Sequence, residues 1–121
     1  MEAAIASVHA HASSLEETDW RTIVDLYDSL LAIRPSPVVA LNRAIALAQF
    51  EGAQRGLEEI AAIADIDRLS EYPFYFAALG ELEQRLGRTS DAREHFRLAG
   101  GRARNPMERQ FFERRAQQLA V

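Results

Sequence analysis

The chain has 121 residues, a formal net charge of −4 and no cysteine, and 48% of its residues are hydrophobic. This length suits one domain with a buried core, and the lack of cysteine excludes a disulfide framework, a thiolate nucleophile and a zinc–thiolate site. No apolar run approaches the ~20 residues of a transmembrane helix, and the first residues lack the basic start of a signal peptide, so we expect a cytoplasmic protein without membrane contact.

The charge is distributed unevenly along the chain. Residues 1–84 carry 14 acids and 5 arginines, whereas residues 85–121 carry 9 arginines and 4 acids. Such a split is typical of a basic surface that faces a partner, or of arginine-rich helix faces that are only solvated. The candidate basic end consists of Arg102, Arg104, Arg109, Arg114 and Arg115.

Helix-forming residues dominate, and no segment alternates between apolar and polar residues for long enough to predict a strand. Glycine, proline and turn residues divide the chain into seven predicted helices. The first covers about residues 2–13 and the second residues 19–33, with a loop at SSLEET between them. The third starts near Pro37, the fourth follows a break at Gly52, the fifth starts near Tyr72 or Pro73, and the last two start near Thr89 and Pro106. GGRAR is predicted to break the chain before the last one.

Apolar spacing predicts which helix faces are buried. The second helix is expected to bury Ile23, Leu26, Tyr27, Leu30 and Leu31. The fourth is expected to bury Leu57, Ile60, Ala61 and Ala64.

Two helix starts carry capping signals. Ser36-Pro37 combines a hydroxyl N-cap with proline at the first helical position. Asn105-Pro106 does the same with an amide, and Glu108 follows three residues after Asn105, which predicts a reciprocal capping box.

The stretch AALGELEQRLGRTSDAREHFRLAG reads as two helices joined at Gly87. With Phe76 added, it matches the 34-residue tetratricopeptide pattern of a large residue, Leu-Gly, then Ala and Phe. Gly80 and Ala92 are small enough for the paired helices to approach closely. Phe76 and Phe96 fill the space beside this contact, and Gly87 supplies the turn.

The pattern recurs towards the N-terminus. A step of 35 residues from Phe76 gives equivalent positions at Leu41, Ala44, Ala48, Gly52, Leu57 and Ala61. A further step of 34 gives Ile23, Tyr27, Leu30 and Pro35. We therefore predict one all-α domain over residues 1–121, a tetratricopeptide-like right-handed solenoid of about three helix pairs. The pairs cover residues 2–34, 37–65 and 72–102.

The remaining segment, residues 106–119, is predicted to be a capping helix that covers the open end of the stack. Its apolar face comprises Met107, Phe111, Phe112, Ala116 and Leu119.

Several motifs occur together in one order: AAIASVHA, TDW…IVDLYDSLL, RPSPVVALNRAIALA and LGRTSDAREHFRLA…NPMERQFFERR. Together they cover nearly all of residues 2–119. This order resembles the C-terminal extension of a group of extracytoplasmic-function (ECF) bacterial sigma factors, in which a tetratricopeptide-like domain follows two promoter-binding sigma domains. The resemblance implies a regulatory or docking module in transcription initiation.

The sigma domains are missing from this chain, so the resemblance implies that it is the C-terminal part of a longer polypeptide. The implied partners are the sigma domains of the same polypeptide, the RNA polymerase core, or a regulatory protein or peptide. Promoter DNA would be contacted mainly by the missing sigma domains.

In such a solenoid the first helix of each pair lines a concave groove. The predicted groove positions are Ile5, Val8 and Ala12, then Val39, Asn42, Ala46 and Gln49, and then Phe74, Ala77, Glu81 and Gln84. The Asn42 amide would either grip the backbone of an extended peptide or bond to a loop of its own domain. Arg43 would either hold a partner carboxylate or, as we favour, form an internal ion pair.

No catalytic, metal or cofactor site is expected. The sequence has no glycine-rich phosphate loop and no nucleophile motif. His9 and His11 lie two residues apart, roughly 200° around a helix, so both cannot face one ion. We expect Trp20 to be a core residue that staples a helix entry, rather than an exposed anchor for a partner, and His95 to lie at the surface or its boundary.

The predicted function is protein–protein interaction by the regulatory C-terminal domain of an ECF-type sigma factor. Two alternatives stay open: a stand-alone tetratricopeptide adaptor that binds peptides, and an auxiliary contact of the basic end with DNA phosphates.

Overall fold

A computed structural model describes the backbone of residues 12–119 and the side chains from residue 19 to residue 119. Within this part of the chain there are six α-helices, one 3₁₀ turn and no strand, which confirms the all-α prediction. The helices are α1 (Ala12–Ile33), α2 (Pro37–Glu51), α3 (Ala53–Ala61), α4 (Pro73–Arg85), α5 (Thr89–Gly101) and α6 (Pro106–Gln118), with the 3₁₀ turn at Ile66–Leu69. Most of the predicted helix over residues 2–13, including groove positions Ile5 and Val8, lies outside the described residues, as does the side chain of Ala12.

Helix α1 corrects two expectations. The predicted loop at residues 13–18 is wrong, because α1 runs without interruption from Ala12. The segment contains no glycine or proline that would end a helix. The buried face also differs from the prediction, since Val24 is buried whereas Leu26 and Leu30 are exposed. The partly buried Trp20 packs with the Val24 cluster, which agrees with its expected core position. It does not staple a helix entry, because α1 begins at Ala12, eight residues earlier.

Helix α2 begins and ends where the sequence predicts. The Ser36 Oγ accepts a hydrogen bond from the backbone N–H of Val39 at 3.3 Å, and Pro37 is the first helical residue. The helix ends at Gly52, which has a φ of +97°, and Gly87 has a φ of +78° at the equivalent position between α4 and α5. These two glycines lie 35 residues apart, as the repeat spacing predicts, and each occupies backbone space that disfavours a residue with a Cβ.

Ile60 is buried on helix α3 as predicted, but relative to the predicted repeat register the helix packs on α2 through residues one position earlier. Its buried residues are Ala53, Gly56 and Ile60, with Ile63 following the helix, whereas Ala61 and Ala64 are exposed. A Cβ on Gly56 would lie 2.6 Å from the Cβ of Ala48, so this glycine sets the distance between the helices.

The one-residue shift has a local cause. Helix α3 begins directly after Gly52, whereas Arg88 separates Gly87 from the start of α5. The second helix of one pair is therefore displaced by one residue relative to that of the other. Gly56 and Ile60, rather than Leu57 and Ala61, take the places of Ala92 and Phe96.

Helices α4 and α5 meet at the predicted close contact. A Cβ on Gly80 would lie 2.9–3.1 Å from three ring atoms of Phe96. Phe96 and Ala92 are buried, and Phe76 is packed against their cluster. The predicted break at GGRAR is wrong for its two glycines, because α5 continues through Gly101.

Helix α6 covers this cluster with part of its predicted face. Phe112, Ala116 and Leu119 are buried, but Met107 is 81% exposed and Phe111 is 51% exposed, so neither belongs to the core. The three buried residues follow one helical stripe, and Met107 and Phe111 lie beside it.

The cap of α6 is also partly as predicted. The side chain of Asn105 accepts a hydrogen bond from the backbone N–H of Glu108 at 2.8 Å. The return bond differs from a capping box, because Glu108 Oε1 accepts from the backbone N–H of Arg104 rather than from that of Asn105.

The core consists of buried clusters between consecutive helices: one between α1 and α2, one that joins α2, α3, the 3₁₀ turn and α4, and one that joins α4, α5 and α6. None of the described helices is long and apolar enough to cross a membrane.

Candidate functional site

A groove of about 340 Å³ lies where α2, α4 and α6 face one another, and we call it the central groove. Helix α4 contributes more of its lining than any other helix, because residues at positions 74, 77, 78, 81 and 85 recur at helical spacing on one face. The lining residues are Asn42, Ile45, Tyr72, Phe74, Ala77, Ala78, Glu81, Leu82, Arg85, Phe96, Phe111, Phe112 and Arg115.

Aromatic rings form one end of the central groove. Phe74 packs edge-to-face on Phe112, with ring centroids 5.9 Å apart, and on Tyr72 at 5.5 Å. Phe111 packs on Phe112 in the same way at 5.4 Å. Phe74 and Phe111 are both partly open to solvent, whereas Phe112 is buried. A partner side chain would therefore find apolar surface that is already held in position.

The opposite end is polar and carries Arg115. Its Nη2 donates hydrogen bonds to Glu81 Oε2 and to Gln84 Oε1, both at 2.7 Å. The guanidinium lies 4.6 Å above the centroid of the Phe96 ring. Arg85 Nη2 lies 3.9 Å from the other Glu81 oxygen. One carboxylate thus lies between two guanidinium groups, which leaves an excess positive charge at this end.

The predicted groove residues fall into two groups. Asn42, Phe74, Ala77 and Glu81 line the central groove, and Gln84 joins its edge through Arg115. The Asn42 side chain is exposed and forms no hydrogen bond with any described residue. The bond between this amide and a loop of its own domain, one of the two predicted alternatives, is therefore not seen in the described part of the chain.

The remaining predicted groove positions lie elsewhere. Ala46 is buried against α1, which corrects its assignment. Val39 lines a separate hollow beside the connection between α1 and α2. Gln49 is exposed, and its Nε2 donates to the backbone oxygen of Ile45 at 3.3 Å.

Arg43 forms the internal ion pairs that we favoured. Its Nε donates to Asp28 Oδ1 at 2.6 Å and its Nη1 donates to Glu59 Oε1 at 2.5 Å, so one side chain on α2 joins α1 to α3. Partial burial would by itself lower the pKa of Arg43, but the hydrogen bonds to the two carboxylates outweigh it and raise this pKa. Arg43 does not line the central groove.

Three arginines of the predicted basic end have partners within the molecule. Arg102 donates to the backbone oxygen of Ser70 at 2.6 Å and lies over the Phe76 ring. Arg104 pairs with Glu108 at 2.6 Å, and this hydrogen bond lowers the pKa of Glu108 and raises that of Arg104. Arg115 belongs to the central groove.

The other two arginines, Arg109 and Arg114, are exposed and have no ion-pair partner among the described residues.

One polar pair was not predicted from the sequence. Glu83 is buried, and its Oε1 lies 2.5 Å from Nδ1 of the half-buried His95, across the contact between α4 and α5. His95 also stacks on Phe76. The signal available in the sequence is that Glu83 continues the Phe76 and Gly80 face at helical spacing. Among the described side chains, no group of three or more His, Asp or Glu is placed to hold a metal ion.

Comparison with known proteins finds a relative but no matching family or structure. No protein-family profile matches the chain, and no solved structure shows significant similarity to it. The chain is 39% identical, over all 121 residues, to an uncharacterized protein of Rhizobium meliloti (strain 1021). It spans 28% of that protein's length, so a similar sequence occurs there as part of a longer chain.

Proposed function

We propose that the chain is a protein–protein interaction module, a tetratricopeptide-like solenoid that forms the C-terminal regulatory extension of an ECF-type sigma factor. The central groove carries this proposal. It combines exposed aromatic rings, a floor of small and apolar residues, and the amide of Asn42, which forms no hydrogen bond with any described residue. Together these features suit the docking of a polypeptide segment.

The helix pairs support the solenoid. Gly52 and Gly87 end the first helix of two successive pairs 35 residues apart, and both have positive φ values. Gly56 and Gly80 provide the close contact within each pair. Helix α6 covers the outer side of the last pair through Phe112, as a terminal helix of such a stack must do.

The link to sigma factors rests on the order of the sequence motifs. Its two most specific segments, SPVVALNRA and NPMER, contain the Ser36 and Asn105 caps that set the start of α2 and α6. The greater length of the Rhizobium relative is compatible with further domains beside this one. The proposed partners are the sigma domains of the same polypeptide and the RNA polymerase core, and promoter contacts belong to the sigma domains.

In this proposal the central groove holds a segment of a sigma domain, of the core enzyme or of a regulator. A segment that binds the groove in only one arrangement of the sigma domains would favour that arrangement by its binding free energy. The extension would thereby control whether the sigma domains are presented to the core enzyme.

The first experiment is to read the gene upstream of Met1. A reading frame that continues into sigma-type helices supports the proposal. A ribosome-binding site and a stop codon directly before Met1 would contradict it and would favour the stand-alone peptide adaptor.

The second experiment compares transcription by core polymerase with three forms of the longer protein: intact, ending before α1, and carrying Asn42→Ala. We expect the truncated form to differ from the intact form in initiation rate, and the Asn42 variant to lie between them. Equal rates for all three would refute a regulatory role.

A second candidate, an auxiliary contact with DNA phosphates, is favoured by Arg109 and Arg114, which are exposed and form no ion pair with the side chains described from residue 19 onwards. Binding through phosphates weakens steeply with added salt because counterions are released, whereas docking of an apolar segment does not. Replacing both arginines by glutamine would lower the affinity for duplex DNA and its salt dependence if this contact exists.

A further inference from the structure

We infer that the central groove selects a partner segment in which an aromatic or large aliphatic side chain lies close to a carboxylate. This inference rests on the proposed function, in that it takes the central groove to be the docking site, and it adds the chemistry of the docked segment.

The aromatic or large aliphatic side chain of the inferred partner segment follows from Phe74 and Phe111. Both rings are partly exposed, and each is held edge-to-face against the buried Phe112. Ala77 and Ala78 line the groove between the aromatic end and the polar end, and their short side chains leave room above them. A large apolar side chain would fill this space without displacing a side chain of the protein, whereas a small or polar one would leave the rings exposed.

The carboxylate of the inferred partner segment follows from the charge balance at the polar end of the groove. Glu81 lies between Arg85 and Arg115, but only Arg115 is close enough to form a hydrogen bond with it. At 3.9 Å from Glu81, the Arg85 guanidinium keeps its donors available, and its side chain is 39% exposed. A partner carboxylate at this end would therefore meet an uncompensated guanidinium.

Arg115 makes the polar end rigid. Its contacts with Glu81, Gln84 and the Phe96 ring hold it in one orientation beside apolar floor residues. Charged hydrogen bonds are stronger beside such an apolar surface than in bulk water. At the aromatic end, the Arg104 guanidinium lies 5.1 Å from the centroid of the Phe74 ring, and its charge is balanced by the ion pair with Glu108. The excess positive charge of the groove thus lies at one end and the aromatic rings at the other, which fixes the direction of the docked segment.

The test uses two peptide probes that differ in one group, acetyl-Leu-Phe-Glu-amide and acetyl-Leu-Phe-Gln-amide. Each is titrated at low salt into the ¹⁵N-labelled 121-residue chain, and binding is followed by amide chemical shifts. We expect the glutamate peptide to bind at least about threefold more tightly than the glutamine peptide. The shifts should fall on Ala77, Arg85 and Arg115.

Two arginine variants make the test specific. Arg85→Gln should bring the ratio of the two affinities close to one, because it removes the uncompensated charge at an exposed position. Arg97→Gln is the matched control, since Arg97 is exposed on α5 outside the central groove, and it should leave the ratio unchanged. Thermal melts of both variants check that the fold is retained.

Equal affinities of the two peptides, with shifts in the groove, would overturn the inference and leave the proposed docking function in place. The inference would also fail if neither peptide shifts groove residues, if the oligonucleotide dT12 occupies the groove in preference to both peptides, or if the chain alone fills it by self-association at higher concentration. Failure of the proposed function would appear separately, in the transcription comparison.

Discussion

Substitution of Gly80 by leucine tests the contact between α4 and α5 most directly. Even the first added atom, Cβ, would lie 2.9 Å from Cε2 of Phe96, whereas carbon atoms in ordinary contact are about 3.5–4.0 Å apart. Phe96 is buried in the cluster that joins α4, α5 and α6, so a shift of its ring would disturb the packing of all three helices. Leucine adds three more carbons beyond this Cβ, so we expect an overpacking cost in the upper part of the usual range, about 2–3 kcal/mol. The better helix propensity of leucine returns about 0.8 kcal/mol.

We therefore expect Gly80→Leu to lower the free energy of unfolding by at least about 1–2 kcal/mol. For a domain of this size that corresponds to a fall in Tm of about 4–8 °C, measured by circular dichroism. Gly101→Leu is the matched control, because a Cβ on Gly101 meets nothing within 4 Å, and it should melt close to the parent. If Gly80→Leu also melts like the parent, the close packing of α4 on α5 is refuted.

Four further predictions concern single side chains. Arg43→Met removes the ion pairs that join α1 to α3 but keeps the aliphatic stem, and should destabilise the protein by about 0.5–1.5 kcal/mol in urea titrations. Asn105→Ala removes the cap of α6 and should cost about 1 kcal/mol by the same assay. Asn42→Ala should change stability by no more than about 0.5 kcal/mol while weakening partner binding in a calorimetric titration. The hydrogen bond from Arg104 holds the pKa of Glu108 below its ordinary value of 4.5 in the folded protein. The stability that the charged Glu108 contributes is therefore present above pH 4.5 and is lost as the pH falls through the lower folded-state pKa. The Tm difference between the parent and Glu108→Gln should accordingly vanish at acidic pH.

Each of these has an outcome that contradicts it. An Arg43→Met variant as stable as the parent would show that the ion pairs contribute nothing. An unchanged Asn105→Ala would remove the capping role, and joint loss of folding and binding in Asn42→Ala would make this residue structural. A Tm difference for Glu108→Gln that persists down to the lowest pH at which the protein stays folded would show that the carboxylate acts by something other than its charge.

The local features of the fold were predictable from the sequence because they depend on nearest neighbours. A serine or asparagine followed by proline determines a helix start, which is why Ser36 and Asn105 were identified as caps. A glycine between two apolar helices determines a turn, as at Gly52 and Gly87. The small residue at Gly80 and the large one at Phe96 were paired through the repeat pattern, and they do meet.

The features that were missed depend on rotation and tilt of whole helices. Arg88 lies between Gly87 and the start of α5, and no residue lies between Gly52 and the start of α3. Each residue of α5 therefore corresponds to a residue of α3 one position earlier than the repeat spacing predicts. On α1, the helical spacing of the apolar residues, including Leu26 and Leu30, predicted one buried face. Helix α2 instead packs on the neighbouring stripe around Val24. The offset on α1 arises from tertiary packing and has no signal in a single sequence. The offset between α3 and α5 has a local cause, the extra Arg88, which the constant repeat step did not take into account.

The candidate site shows the same division. Asn42, Phe74 and Glu81 were predicted because the first helices of the pairs share an inner face. Arg115 and Phe111 were assigned to a basic end and to a buried cap instead, since the angle at which α6 docks determines that they face the groove. Helix α6 has no equivalent in the other helix pairs, so the repeat pattern does not predict its orientation.

The packing of consecutive helices also has a consequence for how the protein forms. Helix α5 meets α4 and α6, and α2 meets α1 and α3, so most contacts join segments close together along the chain. Chains with such local contacts fold fast, because little loop entropy is lost before each contact forms. During synthesis, each helix would find its partner as soon as the next one has left the ribosome, and the apolar faces of α2 and α4 would be exposed only briefly.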